Sequence, residues 1–138
     1  MRSPKLDALD VLAGDWVLGD PSSPVGRTSF TWLEGGHFLV QRWTVDVPGA
    51  PDGIAILGED ADTGELVQHY FDSRGVARVY RMRLEDGTWE LRRDGPDFWQ
   101  RFRGRLAEDG MTISGAWETS PDGSDWQHDF DLLYTRVD

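Results

Sequence analysis

The sequence of 138 residues predicts an all-β fold, an antiparallel up-and-down barrel of about ten strands preceded by one short helix. Turn signals rich in Gly, Asp and Pro recur at short intervals along almost the whole chain. The segments between them alternate in polarity and are rich in Val, Thr, Tyr, Phe and Trp, which is typical of consecutive hairpins. The chain length suits one domain, and we expect that domain to span residues 1–138.

The helix is predicted from the stretch SPKLDALDVLAG near the N-terminus. Ser3 can cap the helix, Pro4 suits its first position, and Gly14 can stop it. Leu6 and Leu9 would form its apolar side. A single short helix before a series of strands suggests a barrel that is plugged at one end.

The strands are predicted from the spacing of the turns. We expect them at residues 14–19, 26–33, 37–46, 54–60, 65–73, 76–84, 88–94, 97–106, 111–119 and 126–136. A two-residue loop at 86–87 would pair Leu84 with Trp89 on one face and Arg83 with Glu90 on the other. The first face is apolar and the second is charged, as a half-buried hairpin requires.

Three further loops extend this assignment of faces to neighbouring strands. A loop at 95–96 would pair Leu91 with Gln100, one at 74–75 would pair His69 with Tyr80 and Phe71 with Arg78, and one through 120–125 would pair Gly115 with His128. A slip of one residue would turn a whole apolar set towards solvent, so the pattern constrains each register. Glycine at 115 would leave space beside the imidazole of His128, or would bend the strand so that the barrel closes.

Six polar residues fall on the predicted inner face and form our candidate ligand-binding site: His69, Arg78, Tyr80, Arg93, Gln100 and His128. A buried arginine is costly unless it is paired, and the only inward carboxylate we identify is Asp60, whose register is uncertain. An anionic ligand would supply the missing charge, because guanidinium binds carboxylate in a bidentate way. The alternative is that the arginines lie near a barrel mouth and reach water.

Six other arginines fall on the predicted outer face: Arg81, Arg83, Arg92, Arg101, Arg103 and Arg105. We expect them to be solvated or paired with acidic neighbours, which stabilises a fold little. They contribute to a local excess of positive charge in a chain whose formal net charge is -11. That overall acidity argues against nucleic acid as a partner.

Several classes of protein are disfavoured by what the sequence lacks. It has no cysteine, and His37, His69 and His128 have no metal-ligand spacing, so we expect no metal site. It shows no phosphate loop or dinucleotide fingerprint, and we expect no cofactor. The N-terminus has no signal-peptide run and no segment is long enough to cross a bilayer, so we expect a cytoplasmic protein without a membrane partner.

Two short motifs carry a resemblance to a known group of barrels. GDW at 14–16 and YTR at 134–136 resemble the calycin arrangement, in which an early Gly-x-Trp packs under a late arginine. The stretches LAGDW, GGHFLVQRW, HYFDSRG, DGTWELRR and WQHDFDLLYTR resemble small bacterial lipocalin-like barrels, a domain of unknown function. The resemblance implies a ten-stranded barrel like that of fatty-acid-binding proteins, a structural role for Trp16 and Arg136, and no agreed activity.

Three functions remain open at this point. The first is binding of a small, largely apolar ligand, bearing a carboxylate or a phenol, inside the barrel. The second is a small-molecule enzyme of the isomerase, cyclase or lyase type, with His128 or His69 as general base and Tyr80 stabilising an oxyanion. The third is an inert, filled barrel that forms a homodimer through outer aromatic residues such as Trp99 and Tyr70.

Overall fold

The structure is a computed structural model that describes residues 2–137, and in it ten antiparallel strands close into a barrel. The strands are β1 (Gly14–Asp20), β2 (Ser23–Trp32), β3 (Leu39–Val45), β4 (Gly53–Glu59), β5 (Leu66–Asp72), β6 (Ala77–Glu85), β7 (Thr88–Arg93), β8 (Trp99–Leu106), β9 (Thr112–Ser120) and β10 (Gln127–Arg136). Each strand pairs with its neighbours in sequence, and β1 pairs with β10 to close the sheet. The predicted fold class is confirmed.

The N-terminal helix closes one end of the barrel, as the sequence predicts. It comprises α1 (Pro4–Asp7) and a following 3-10 segment (Ala8–Leu12). The hydroxyl of Ser3 accepts a hydrogen bond from the backbone of Leu6 at 3.2 Å, which satisfies one free N–H at the helix start. Leu6 and Leu9 are buried, and full burial of a leucine side chain stabilises a fold by about 1.5–3 kcal/mol.

A contact between Trp16 and Arg136 fastens this closed end. The two residues are partners across β1 and β10, and the Arg136 guanidinium carbon lies 4.1 Å from the centre of the Trp16 ring. Gly14 has a φ of 125°, and a Cβ there would lie 2.7 Å from Arg136 Nη1, so the guanidinium fits because this residue has no side chain. The predicted packing of Trp16 under Arg136 is confirmed.

The interior contains a continuous chain of aromatic rings. Neighbouring ring centres are 5.1–6.2 Å apart, within the range of favourable aromatic pairs. From the closed end outwards the rings are Trp16, Tyr134, Trp89 with Phe30 beside it, Phe102, Trp117, Tyr80, Tyr70 and Trp43. The middle of the barrel is therefore a packed core.

The register predicted around residues 86–87 is confirmed. Leu84 faces Trp89 and Arg83 faces Glu90. The next hairpin is displaced by two residues, because its loop extends beyond the predicted two residues. Leu91 faces Phe102 rather than Gln100, but an even displacement leaves each side chain on the face that the sequence predicts.

The hairpin between β5 and β6 is displaced by one residue, which reverses the face of β5. Tyr80 faces Gln68 and Arg78 faces Tyr70, so the predicted pairs with His69 and Phe71 are wrong. The cause lies in the turn, where the Asp72 carboxylate accepts hydrogen bonds from the backbone N–H groups of residues 74 and 76 at 2.9 and 3.4 Å. This side-chain-capped turn is longer than the two-residue loop that we expected.

The hairpin between β9 and β10 also differs from the prediction. Gly115 faces Leu132, and His128 faces Glu118 beyond an irregularity in β10. A Cβ on Gly115 would lie 2.6 Å from the Phe102 ring. The space beside this glycine is therefore filled by Phe102 and not left open for an imidazole.

Two structural absences can be stated for residues 2–137. No helix in that range is both long and apolar enough to cross a membrane. Within the same range, His, Cys, Asp and Glu side chains form no group of three or more that could hold a metal ion.

Candidate functional site

Four of the six predicted site residues meet at the end of the barrel opposite the helix. We call this end the mouth; β5, β7 and β9 end there, and β6, β8 and β10 begin there. Arg93 and Gln100 are partners across β7 and β8. Arg78 and Tyr80 lie two residues apart on β6, and the Tyr80 hydroxyl donates a hydrogen bond to Gln100 Oε1.

The two mouth arginines contact Phe98 instead of a carboxylate. The guanidinium carbons of Arg78 and Arg93 lie 5.0 and 5.9 Å from the centre of the Phe98 ring, and Arg93 Nη1 donates to the Phe98 carbonyl. Among residues 2–137 neither guanidinium forms an ion pair. Within the described part of the chain, the mouth therefore holds two half-buried positive charges that form no ion pair.

Tyr80 lies below these charges and is buried. Burial raises its pKa, and the nearby guanidinium groups of Arg78 and Arg93 oppose part of that rise. The phenol stays protonated at neutral pH and can donate one hydrogen bond, which Gln100 accepts. Tyr80 therefore serves as a neutral hydrogen-bonding group at the base of a cationic mouth.

Asp72 is an inward carboxylate that the sequence analysis did not identify. Its side chain has no solvent exposure. It accepts hydrogen bonds from the Tyr70 hydroxyl at 2.6 Å and from Arg74 Nη2 at 2.7 Å. The bonds from Arg74 are the first cause that keeps the pKa of Asp72 well below its ordinary value. The negative charge of Asp72 is thus already compensated by Arg74, and Asp72 does not serve as partner to the mouth arginines. The alternation of Asp72 with Tyr70 along β5 was the sequence feature from which its inward position could have been predicted.

Asp60, the partner considered from the sequence, lies at the opposite end of the barrel. Its carboxylate accepts hydrogen bonds from the backbone N–H groups of Asp62 and Thr63, both at 2.9 Å. These bonds lower its pKa and hold the turn between β4 and β5. Asp60 therefore does not compensate the charges at the mouth.

Aromatic side chains and one amide form the floor of the mouth. Trp43 stacks on Tyr70 with ring centres 5.4 Å apart, and Tyr80 contacts both Tyr70 and Trp117 at 6.0 and 5.7 Å. Gln68 lies beside Tyr80 across β5 and β6 and is buried. Sequence reasoning missed Gln68 and Tyr70 because the one-residue displacement of β5 assigned them to the outside.

The histidines do not join this site. His69 lies on the outer face of β5, between Val67 and Phe71 in sequence, and is exposed. His128 is also exposed, with its Nε2 atom 2.9 Å from a carboxylate oxygen of Asp131. The predicted inward orientation of both histidines is wrong, since each prediction depended on a displaced hairpin.

The six outer arginines lie on the outer face, as predicted. Four of them form ion pairs: Arg81 and Arg92 with Asp94, Arg83 with Glu85, and Arg101 with Glu118. The expected partner Glu90 is not used in these pairs. Exposed ion pairs stabilise a fold by roughly 0–1 kcal/mol each, so these arginines contribute little to stability.

The two aromatic residues considered for a dimer interface have other surroundings. Tyr70 faces the interior, so its predicted place on the outer surface is wrong. Trp99 is half-buried, and added Cβ atoms on Gly95 and Gly123 would lie 3.2 and 2.9 Å from its ring. Trp99 therefore holds two loops of the mouth together, while dimerisation itself stays a prediction.

A surface depression outside the six predicted site residues lies over the first three strands. It has a volume of about 460 Å³ and is formed by β1, β2 and β3 with Val137. Its lining includes none of the six predicted site residues. The buried polar atoms Trp16 Nε1 and Thr28 Oγ1 in that lining donate to backbone carbonyls at 2.9 and 3.0 Å. Its arginines, Arg27 and Arg42, are exposed to solvent, so neither charge requires a compensating ligand.

Comparison with known proteins supports the fold. No protein-family model matches the chain, and no curated protein matches it. Among solved structures, the chain is similar to the crystal structure of Rv2717c from M. tuberculosis, with 17% sequence identity, a TM-score of 0.63 and coverage of 100% of both chains. At this identity the likeness shows the barrel fold alone.

Proposed function

We propose that this protein binds a small organic anion at the mouth of the barrel, with the negative group on Arg78 and Arg93 and an apolar body against the aromatic floor. The observation that carries the proposal is the pair of half-buried guanidinium groups without an ion-pair partner among residues 2–137. Charges in such surroundings are expected to be compensated. A carboxylate matches the planar fork of a guanidinium and can accept two hydrogen bonds from it.

The contacts that Phe98 makes are weak enough for such a ligand to replace. A cation–π contact is worth roughly 0.5–1 kcal/mol at an exposed site, whereas a charge-assisted, bidentate hydrogen bond to carboxylate is stronger. The Phe98 ring lies against both guanidinium groups. An anionic ligand would therefore displace this ring and bind both guanidinium groups.

The aromatic floor sets the shape and polarity of the ligand. Tyr70, Tyr80 and Trp117 present rings to the mouth, and Gln100 offers an amide. The packed middle of the barrel leaves the ligand at the mouth, rather than in a deep central cavity. A flat, largely apolar acid with one aromatic ring fits this description better than a long-chain fatty acid.

The histidine-based enzyme is less well supported. That hypothesis needs an imidazole inside the barrel, but His37, His69 and His128 are all exposed. Tyr80 is held in its protonated form by burial, so it is not a general base at neutral pH. Binding is therefore the function that the geometry favours.

We further propose a family relationship and a cellular compartment for this protein. The packing of Arg136 on Trp16 supports a relation to calycin-type barrels such as the bacterial lipocalin-like group. The lack of cysteine fits a reducing compartment, and we propose the cytoplasm.

A panel of organic acids tests the binding proposal. We expect aromatic monocarboxylates to raise the melting temperature of the wild-type protein in a concentration-dependent way. The substitutions Arg78→Leu and Arg93→Leu should each weaken binding by about 10-fold or more, because each removes a charge-assisted contact. Calorimetric titration gives the dissociation constants.

The matched control is Arg83→Leu, which removes an arginine from the outer face of the same strand as Arg78. It should leave affinity within about two-fold of wild type, because an exposed charge outside the site contributes little. Absence of binding for every acid in the panel would contradict the proposal. Equal weakening by Arg83→Leu and Arg93→Leu would reduce it to a general effect of charge.

Phe98→Ala tests whether the phenyl ring competes with the ligand. Removing the ring should tighten binding of an aromatic carboxylate by roughly 3–10-fold, since the ligand no longer displaces two cation–π contacts. Titration of both proteins with the same acid measures the change. Phe38→Ala is the control, because Phe38 is an exposed phenyl on the β2–β3 loop at the other end of the barrel. Weaker binding in Phe98→Ala would show that the ring is a wall of the site.

A further inference from the structure

Gln68 has an unusual position in the mouth of this barrel. It lies on β5 with its side chain inward, opposite Tyr80 on one side and Leu57 on the other. Only 3% of the residue is exposed. Its side-chain oxygen makes no hydrogen bond within residues 2–137, which is rare for a buried polar atom.

The side chains of the other interior glutamines form hydrogen bonds, unlike the side-chain oxygen of Gln68. Gln41 is buried and donates to Thr28 Oγ1 at 3.2 Å, and Gln100 accepts from Tyr80. An acceptor that is buried without a donor destabilises a fold, and an apolar residue of similar shape would avoid that cost. A glutamine at this position is therefore best explained by a donor that arrives with a bound molecule.

A second buried polar atom without a partner, Trp89 Nε1, does not belong to the same place. The Trp89 ring is surrounded by Phe30, Phe102 and Tyr134 in the packed middle of the barrel. Gln68 is instead the neighbour of Tyr80, whose hydroxyl meets the mouth residue Gln100. Of the two residues, Gln68 is therefore the one that adjoins the mouth site.

The donor that reaches Gln68 should be neutral. An ammonium group there would be buried near the positive charges of Arg78 and Arg93, and the inward carboxylate of Asp72 is already bound to Arg74 and Tyr70. A hydroxyl group can donate one hydrogen bond without adding charge. On an aromatic ring it would also suit the stacked rings of the floor.

We propose that Gln68 recognises a hydroxyl group at the inner end of the ligand, so that the preferred ligands are hydroxy-substituted aromatic carboxylates. This inference rests on the proposed binding function. The carboxylate would meet Arg78 and Arg93, and the phenolic O–H would donate to Gln68 Oε1. Gln68 is then the residue that determines specificity, while the arginines provide the charge contact.

The test compares benzoate with its ortho, meta and para hydroxy derivatives, each titrated into the wild-type protein and into Gln68→Leu. We expect at least one hydroxybenzoate to bind wild type about 10-fold more tightly than benzoate, since a site built to bond a hydroxyl discriminates against the analogue that lacks it. In Gln68→Leu that ratio should fall to about one, because the acceptor is gone. Affinity for benzoate, which has no hydroxyl group, should change much less than affinity for that hydroxybenzoate.

Thermal unfolding of the ligand-free proteins gives a second readout. Gln68→Leu should melt at the same temperature as wild type or higher, because the substitution removes a buried acceptor that has no partner. Gln127→Leu, at an exposed position on β10, is the matched control and should leave the preference for hydroxybenzoate unchanged.

The outcomes separate the two proposals. If no acid of the wider panel binds wild type, the binding proposal fails and the inference about Gln68 fails with it. If another aromatic acid binds but none of these four does, only the inference about Gln68 fails. If benzoate binds but no hydroxybenzoate binds more tightly, or the preference survives in Gln68→Leu, the role of Gln68 is overturned while anion binding stands. A lower melting temperature of Gln68→Leu would show that the amide has a structural partner, which would also overturn the proposal.

Discussion

Arg136→Leu is expected to lower the free energy of unfolding by about 3–5 kcal/mol, one of the two largest effects that we predict. Arg136 donates to the carbonyls of Val11, Ala13 and Gly110 at 2.6, 2.7 and 3.1 Å, and it covers the Trp16 ring. Leucine would restore none of these bonds. The helical plug would lose the carbonyl contacts that join it to the last strand.

Urea denaturation monitored by circular dichroism measures this effect. Arg27→Leu is the control, because Arg27 is an exposed arginine on β2, and its loss should change stability by less than about 0.5 kcal/mol. If both variants unfold at the same urea concentration as wild type, then Arg136 does not hold the plug in place.

Asp72→Asn should have the second large effect, a loss of about 2–3 kcal/mol at neutral pH. The Asp72 carboxylate is inaccessible to solvent and accepts bonds from the side chains of Tyr70 and Arg74 and from two backbone N–H groups of its turn. Asparagine keeps the shape but offers one acceptor oxygen without charge. The turn between β5 and β6 would lose its ionic centre.

The effect of Asp72 should depend on pH in a defined direction. Its pKa is lower in the folded protein than in the unfolded chain, where an aspartate titrates at about 3.9. The stabilisation by the ionised group is therefore complete at neutral pH and is lost progressively as the pH falls below about 5. The difference in unfolding free energy between wild type and Asp72→Asn should be smaller at about pH 3 than at about pH 7.

Asp46→Asn is the matched control, since Asp46 is exposed beside the end of β3. Its unfolding curve should follow that of wild type closely at both pH values. A difference between wild type and Asp72→Asn that stays constant from neutral to acidic pH would contradict the ionic role of Asp72.

The fold could be predicted from the sequence because its turns and its alternation of polarity agree along the whole chain. The clearest case is the loop at residues 86–87. Asp86 and Gly87 both have positive φ, 52° and 75°, as a two-residue hairpin turn of this type requires, and the Asp-Gly pair predicts it directly. The register on both sides of that turn follows from it.

The site could be predicted in part, and the errors arise in two hairpins. Arg78, Tyr80, Arg93 and Gln100 lie on strands whose faces are preserved, so the structure brings them together at the mouth. The errors at His69 and His128 arise because side chains and a strand irregularity set the lengths of the adjoining hairpins.

The length of a turn that a carboxylate stabilises cannot be predicted from the position of its glycine alone. Asp72 caps the β5–β6 turn through hydrogen bonds that only the folded chain forms. In the β9–β10 turn, the Asp122 carboxylate accepts hydrogen bonds from the backbone N–H groups of Ser124 and Asp125 at 2.8 and 3.0 Å. In both hairpins the observed pairing is displaced from the one that the turn residues predict. The positions of the strands could therefore be predicted more reliably than their pairing partners.

The chain of aromatic rings gives this barrel a built-in optical reporter. Trp16 at the closed end and Trp43 at the mouth belong to one series of rings in contact. Excitation energy passes readily from tyrosine to tryptophan rings in contact, and between tryptophans separated by one or two such rings. Light absorbed near the plug would therefore be emitted or quenched near the entrance, and an occupant at the mouth would alter the fluorescence of tryptophans that it never touches.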